Sequence, residues 1–190
     1  MEPGLSNLIL VRHSIPEVDP AVPSFQWHLS DEGRRRCLQL AENLETYTIK
    51  VIFTSPENKA QETARILASQ LDNVPVAVHE GLREHDRRNV GWVGDGFDEM
   101  LRKFYEHPTE KVFGLETALQ ASERIEKAIA DCWKQGTGYD MVIVSHGTVM
   151  SLYVSRVVRG VTPFEFWKQL KMPTAIVMNM PSAKVASILE

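Results

Sequence analysis

Two apolar runs in this 190-residue chain each end on a histidine. Leu8-Ile9-Leu10-Val11 leads into Arg12-His13-Ser14, and Met141-Val142-Ile143-Val144 leads into Ser145-His146-Gly147. An imidazole can act as a nucleophile or move a proton near neutral pH, and an arginine beside it supplies a planar fork that grips phosphate or carboxylate oxygens. Polar groups follow two further apolar runs: Ser55 through Lys59 after residues 51–54, and Glu84 after residues 74–79. Each alone has an ordinary explanation: Arg12 as a surface ion-pair partner, Lys59 as a solvated helix residue, Glu84 as a loop acid, His146 as a helix cap. Taken jointly those explanations weaken, because they must account for two histidines, two cations and one carboxylate converging on one rim.

Such convergence needs a particular architecture. Open α/β sheets place ligands beyond the carboxyl ends of parallel strands, and here apolar runs alternate with segments of helical period. The predicted strands are 7–12, 51–54, 74–79 and 139–144, with a closing hairpin of 174–180 and 185–189 around Pro181-Ser182. Ser30 reads as the N-cap of a helix running to about residue 45, with Leu38, Ala41 and Leu44 on one face. Ser55-Pro56-Glu57 reads as cap, first-position proline and first-turn acid of the next helix, whose buried stripe is Ala60, Ala64, Leu67, Ala68 and Leu71. Residues 98–105 predict a short helix, 116–134 a long one with Leu119, Ile125, Ile129 and Cys132 on one side, and 148–158 the helix after the fourth strand. The expected class is α/β: a three-layer α/β/α sandwich with a mostly parallel sheet, one domain over residues 1–190. Residues 85–115, irregular and carrying Gly91, Gly94 and Gly96, are expected to be a lid or cap insertion.

Composition narrows the partners. A formal net charge of -4 provides no global basic field for nucleic acid or an anionic membrane, so an anionic ligand must be held by a local cluster. No apolar run approaches the ~20 residues of a membrane span, and Met1-Glu2-Pro3-Gly4 lacks the features of a signal peptide. Cys37 and Cys132 lie far apart without CxxC spacing, which fits buried thiols in a reducing, cytoplasmic compartment. The hairpin over residues 174–189 offers an edge for self-association, which keeps a homodimer open.

Taken together, Val11-Arg12-His13, Thr54-Ser55-Pro56 with Lys59-Ala60-Gln61-Glu62-Thr63-Ala64, Leu82-Arg83-Glu84, and Val144-Ser145-His146-Gly147 resemble the motif set of the histidine phosphatase superfamily, also called phosphoglycerate mutase-like. The motifs stand in family order over almost the whole chain. The resemblance implies that His13 is the nucleophile, transiently phosphorylated; that Arg12 clamps phosphoryl oxygens; and that His146, if protonated, adds a charged donor. It implies that Glu84 protonates the leaving alkoxide and then deprotonates the attacking water. Substrate contacts would come from Arg12, Ser14, Lys59, His146 and Gly147, with backbone N–H groups near Gly147 and Thr148 contributing. No metal and no cofactor are implied, since side-chain cations offset the phosphate charge, and the histidines lack the H-E-x-x-H spacing of a zinc site.

Three positions depart from the pattern. Ser14 stands where the family usually has glycine, and its hydroxyl could donate to phosphate. Lys59 stands where the family generally has a second arginine; it keeps the charge but loses bidentate geometry, so weaker phosphate binding is expected. The run Ser14-Ile15-Pro16-Glu17-Val18-Asp19 lacks the Gly-x-Ser-x-Trp-Asn stretch of cofactor-dependent phosphoglycerate mutases. The expectation is therefore a metal-independent phosphomonoesterase acting on a small phosphorylated metabolite through a phosphohistidine. Mutase-type phosphoryl transfer, a phosphoprotein phosphatase and a catalytically weak phosphate-ester-binding protein of the same fold remain alternatives.

Overall fold

The computed structural model describes residues 6–136 and 138–190. Six strands form one sheet: β1 (Ser6–Arg12), β2 (Ile49–Thr54), β3 (Val76–Val78), β4 (Asp140–Ser145), β5 (Thr174–Met180) and β6 (Lys184–Leu189), in the order β3-β2-β4-β1-β5-β6. The first four in that order run parallel, and the closing hairpin adds β5 and β6 antiparallel to their neighbours.

The central strands are apolar on both faces because helices cover both. Alternation sorts their side chains: Leu8 and Leu10 of β1 and Met141 and Ile143 of β4 face one layer, while Ile9, Val11, Val142 and Val144 face the other. The second layer is α1 (Asp31–Leu44) and α2 (Asn58–Gln70), burying Leu40, Ala41, Leu44, Ala60, Ala64 and Leu67. The first holds α3 (Phe97–Glu106), α4 (Ala118–Gln135) and α5 (Gly147–Val157). The result is the three-layer α/β/α sandwich with a mostly parallel sheet.

Several local expectations hold and several shift. Ser30 caps α1, its side chain accepting from the Gly33 N–H at 3.0 Å, and Thr117 with Gln120 closes a capping box on α4. Cys37 and Cys132 are buried free thiols. Leu38 and Leu119, however, are 43% and 39% exposed, one step off the buried stripes of α1 and α4. Helix α2 starts at Asn58 with Glu57 as its N-cap, so Pro56 lies in the preceding turn rather than at the first helical position. A further helix, α6 (Pro163–Gln169), has no counterpart among the expected elements. Among the described residues no helix is long and apolar enough to cross a membrane.

Candidate active site

The strand order β2-β4-β1 sets three side chains in a row at the carboxyl rim: Ser55 after β2, His146 after β4 and His13 after β1. Ladder bonds persist one residue past the strands, the His13 N–H donating to the Ser145 carbonyl and the Ser55 N–H to the Val144 carbonyl, each at 3.0 Å. The His13 and His146 rings meet edge-on with centroids 5.1 Å apart. Helix α1, which follows β1, packs on one face of the sheet, and α5, which follows β4, packs on the other. The rim between β1 and β4 is thus a topological switch point, where such sheets open a crevice.

His13 is oriented by its neighbour's backbone. Its Nδ1 lies 2.7 Å from the Ser14 carbonyl; a carbonyl only accepts, so Nδ1 carries the proton and Nε2 the lone pair. Burial, then His146, Lys59 and Arg12, push its pKa well below the usual histidine value, so the ring is neutral. Ser14 itself faces away from any ligand. Its N–H donates to Thr63 Oγ1 at 3.0 Å and its hydroxyl to the Gly33 carbonyl at 2.7 Å, with no exposed surface. The expectation that this hydroxyl reaches a phosphate is therefore corrected: it ties the loop to α1. Glycine is instead required at position 33, where a Cβ would fall 2.1 Å from the Ile15 carbonyl oxygen. Ser14 has no positive φ and needs no glycine.

His146 is also neutral. Burial, then Lys59 and Arg87, hold its pKa well below the ordinary histidine value. Its Nε2 lies 2.7 Å from Ser55 Oγ, which already accepts from the Glu57 N–H, and its buried Nδ1 has no protein partner. Ser55 Oγ can donate to Nε2 or accept from it, and Glu57 Oε1 lies 3.6 Å from the same nitrogen, so either tautomer satisfies this side of the ring.

The cations sort into paired and unpaired. Arg12 donates a terminal nitrogen to the Leu170 carbonyl and leaves its buried Nε without a partner. It lies over Trp167, and a Cβ at Gly147 would fall 3.0 Å from both Arg12 Nε and the Trp167 indole nitrogen, so a larger residue there would press on the guanidinium and the indole. Lys59 reaches the rim as expected, but its Nζ lies 2.5 Å from Glu57 and 2.7 Å from the Ser24 carbonyl. Arg88 is held bidentately by Asp86, and Arg83 lies 3.7 Å from Glu116. Arg87 stacks on Phe97 with a buried terminal nitrogen that no protein acceptor meets. Among the described residues, Arg12 and Arg87 are the site cations without a carboxylate at ion-pair distance.

Glu84 is fixed by a frame that no sequence motif discloses. Arg124 of α4 donates to the carbonyls of Gly81 and Arg83 at 2.9 Å and of Glu84 at 3.2 Å, while pairing with Glu116. Glu57 accepts the Glu84 N–H at 2.9 Å. The Glu84 carboxylate takes the N–H groups of Thr148 and Val149, each at 3.3 Å. Of the α5 donors expected to face phosphate, Gly147 and Thr148, the Thr148 N–H is thus already engaged. His85 is a core residue, packed on Phe104 and Phe113, and burial lowers its pKa.

Arg12, His13, Lys59, Glu84, Arg87 and Gly147 line one cavity of about 630 Å³. The insertion over 85–115 supplies Arg87, Trp92 and Phe97 to its wall, and the loop before α1 supplies Pro16, Pro20 and Pro23. Trp27 and Trp92 are on that wall, whereas His28 is turned onto Glu62 and Asn58. Of the residues expected at the site, two are off the cavity wall: Ser14, held by its bonds, and His146, fully buried with its ring against that of His13. Sequence reasoning reads Glu57 only as a first-turn acid and gives Arg124 and Arg87 no part in the site; Arg87 stands with Arg83 and Arg88 in a basic run around Glu84, the one signal that could have found it.

A protein named "Probable phosphoglycerate mutase GpmB" from Enterobacter sp. (strain 638) is 30% identical over 136 residues, covering 68% of this chain but only 62% of that protein's length. "Phosphoserine phosphatase 1" of Hydrogenobacter thermophilus is 28% identical over 172 residues, covering 85% of this chain and 80% of the relative. The crystal structure of phosphoglycerate mutase from Bacillus anthracis shares the fold with a TM-score of 0.77 at 14% identity, covering 100% of this chain and 93% of that one. The family model of the histidine phosphatase superfamily (branch 1) matches residues 8–181. The chain belongs to that superfamily.

Proposed function

We propose that this chain is a metal-independent phosphomonoesterase that hydrolyses a small phosphorylated metabolite through a phosphohistidine on His13. The observation that carries this reading is the neutral His13 ring, its Nδ1 proton held on the Ser14 carbonyl, at the wall of a cavity that also holds Arg12, Arg87 and Glu84. In the first step His13 Nε2 attacks phosphorus, the P–O ester bond breaks, and the leaving alkoxide takes a proton from Glu84. In the second, water gives a proton to Glu84 and its oxygen to phosphorus, the P–N bond breaks, and inorganic phosphate leaves. Arg12 and Arg87 face the phosphoryl oxygens, and His146, packed against His13, adds a donor from its unpartnered Nδ1 in the tautomer that protonates it. The 85–115 insertion acts as the lid over the site, supplying Arg87, Trp92 and Phe97 to the cavity wall.

The relative named as a phosphoserine phosphatase supports hydrolysis. The relatives named as phosphoglycerate mutases support a second reading, in which the phosphoryl group returns to another hydroxyl. A panel of phosphate esters incubated with wild type and His13→Ala separates them. Released phosphate that depends on His13 supports hydrolysis, and a rearranged ester supports the mutase. Binding without turnover across acid and neutral pH would leave a phosphate-ester-binding protein.

A further inference from the structure

The cavity is far larger than its anion-binding end. Beyond Arg12 and His13 its wall turns apolar and aromatic, with Trp27, Trp92, Phe97 and Trp167 all lining the same space. The Trp27 and Trp92 rings contact each other with centroids 5.5 Å apart, and Phe97 and Trp167 at 5.9 Å. Trp27 is locked: its indole N–H donates to the carbonyls of Asp19 and Val22 at 2.9 and 3.2 Å, so only the ring is left to meet a ligand. Trp92 rests on it and remains 56% exposed, and Val18 and Val22, also exposed, line the same mouth. Exposed apolar side chains gathered at one opening mark a surface that expects an apolar partner.

We infer that the ester cleaved here carries a planar aromatic group on its alcohol, seated against the Trp27–Trp92 pair while the phosphoryl group lies at Arg12 and His13. This rests on the phosphatase reading and narrows its substrate class. Two observations select this occupant. The aromatic wall and the nucleophile belong to one cavity of about 630 Å³, a size that accommodates a ring-bearing ligand, whereas a phosphorylated three-carbon acid would leave most of it to water. Of the cations on this wall, Lys59 is neutralised by Glu57 and Arg88 by Asp86, which leaves Arg12 and Arg87 for the phosphoryl group and, among the described residues, no further free cation there for a second anionic group. A rigid indole platform adds binding through ring stacking and apolar burial without ordering a flexible side chain.

The test compares esters of similar leaving-group basicity, so that chemistry does not masquerade as binding. 2-(1-Naphthyl)ethyl phosphate and ethyl phosphate are assayed with wild type and Trp92→Ala, with phosphoserine as a third substrate. The inference expects kcat/KM for the naphthyl ester to exceed the other two by about tenfold or more, and that ratio to fall several-fold in Trp92→Ala. Equal rates, preference for phosphoserine, or a ratio untouched by the substitution would overturn it; an untouched ratio would leave the apolar mouth to a protein partner. Calorimetric titration with 3-(1-naphthyl)propylphosphonate and propylphosphonate, which cannot be hydrolysed, separates the two claims. Should no ester turn over, the phosphatase reading fails, yet tighter binding of the naphthyl phosphonate still supports the aromatic site and equal binding still overturns it.

Discussion

Lys59 and Glu57 form an ion pair 2.5 Å long at the active rim, with side chains only 6% and 10% exposed. Burial raises the Glu57 carboxyl, but the charge and hydrogen bond of Lys59 outweigh it and hold the pKa below the usual value. The cation standing where the family generally has its second arginine is therefore already offset by a carboxylate from its own chain. Lysine against arginine is then only part of the difference: the pair as a unit reduces the positive charge offered to phosphate.

Replacing one partner should expose that arrangement. Lys59→Arg alone is expected to change phosphate inhibition by less than about threefold, because the guanidinium meets Glu57, whereas Glu57→Leu/Lys59→Arg should tighten it about tenfold. Competitive inhibition by phosphate and vanadate measures both. A tenfold gain from Lys59→Arg by itself would contradict the pairing.

Arg87 and Arg88 are adjacent in sequence and opposite in expected effect. Arg87→Ala removes an unpaired buried donor from the cavity and should weaken phosphate binding by about tenfold, a charge-assisted hydrogen bond's worth. Arg88→Ala removes a group already bound by Asp86 and should change it little. Phosphate titration of both variants checks the contrast, and equal losses would contradict it.

Ser14→Ala should lower stability by about 1–3 kcal/mol, because the Gly33 carbonyl loses its buried donor. Urea unfolding reads the stability, and steady-state kinetics read KM. A raised KM at unchanged stability would show that the hydroxyl serves the substrate after all.

Stability should also fall with acid in a defined window. Burial holds His13, His146 and His85 below the ordinary histidine value of 6.5, so below that pH the unfolded chain binds protons that the folded chain does not. Stability is then full above 6.5 and is lost as pH falls, with a slope of up to about 1.4 kcal/mol per pH unit for each histidine. Glu57 and Glu116, both lowered, add their loss only below the ordinary carboxylate range. Urea midpoints at about pH 7.5, 6.5 and 5.5 should decline, less steeply in His146→Asn. A flat profile would contradict the neutral histidines.

The parts of the site that the chain announces are those set by local pattern. Unbroken apolar runs before His13 and His146 mark buried parallel strands, and parallel strands bring the residues just past their carboxyl ends to one rim. The frame around those residues is tertiary and carries no local mark. Arg124 holds Glu84 from 40 positions away, and Glu57 pairs with Lys59 through a turn rather than along a helix face. Helix α6 carries no periodic stripe, because its seven residues bury only Phe164. Hydrophobicity alone points Leu38 and Leu119 inward, yet the sandwich leaves them at the edges of their helices, where apolar residues are commonly exposed.

Trapping the covalent intermediate tests the central claim most directly. The protein is mixed with excess radiolabelled phosphate ester, quenched in alkali, in which phosphohistidine survives, and digested to map the label. Label on the peptide containing His13, formed as fast as the ester is cleaved and absent from His13→Ala, is the predicted result. Full turnover with no label on that peptide at any time, or undiminished turnover in His13→Ala, would contradict it.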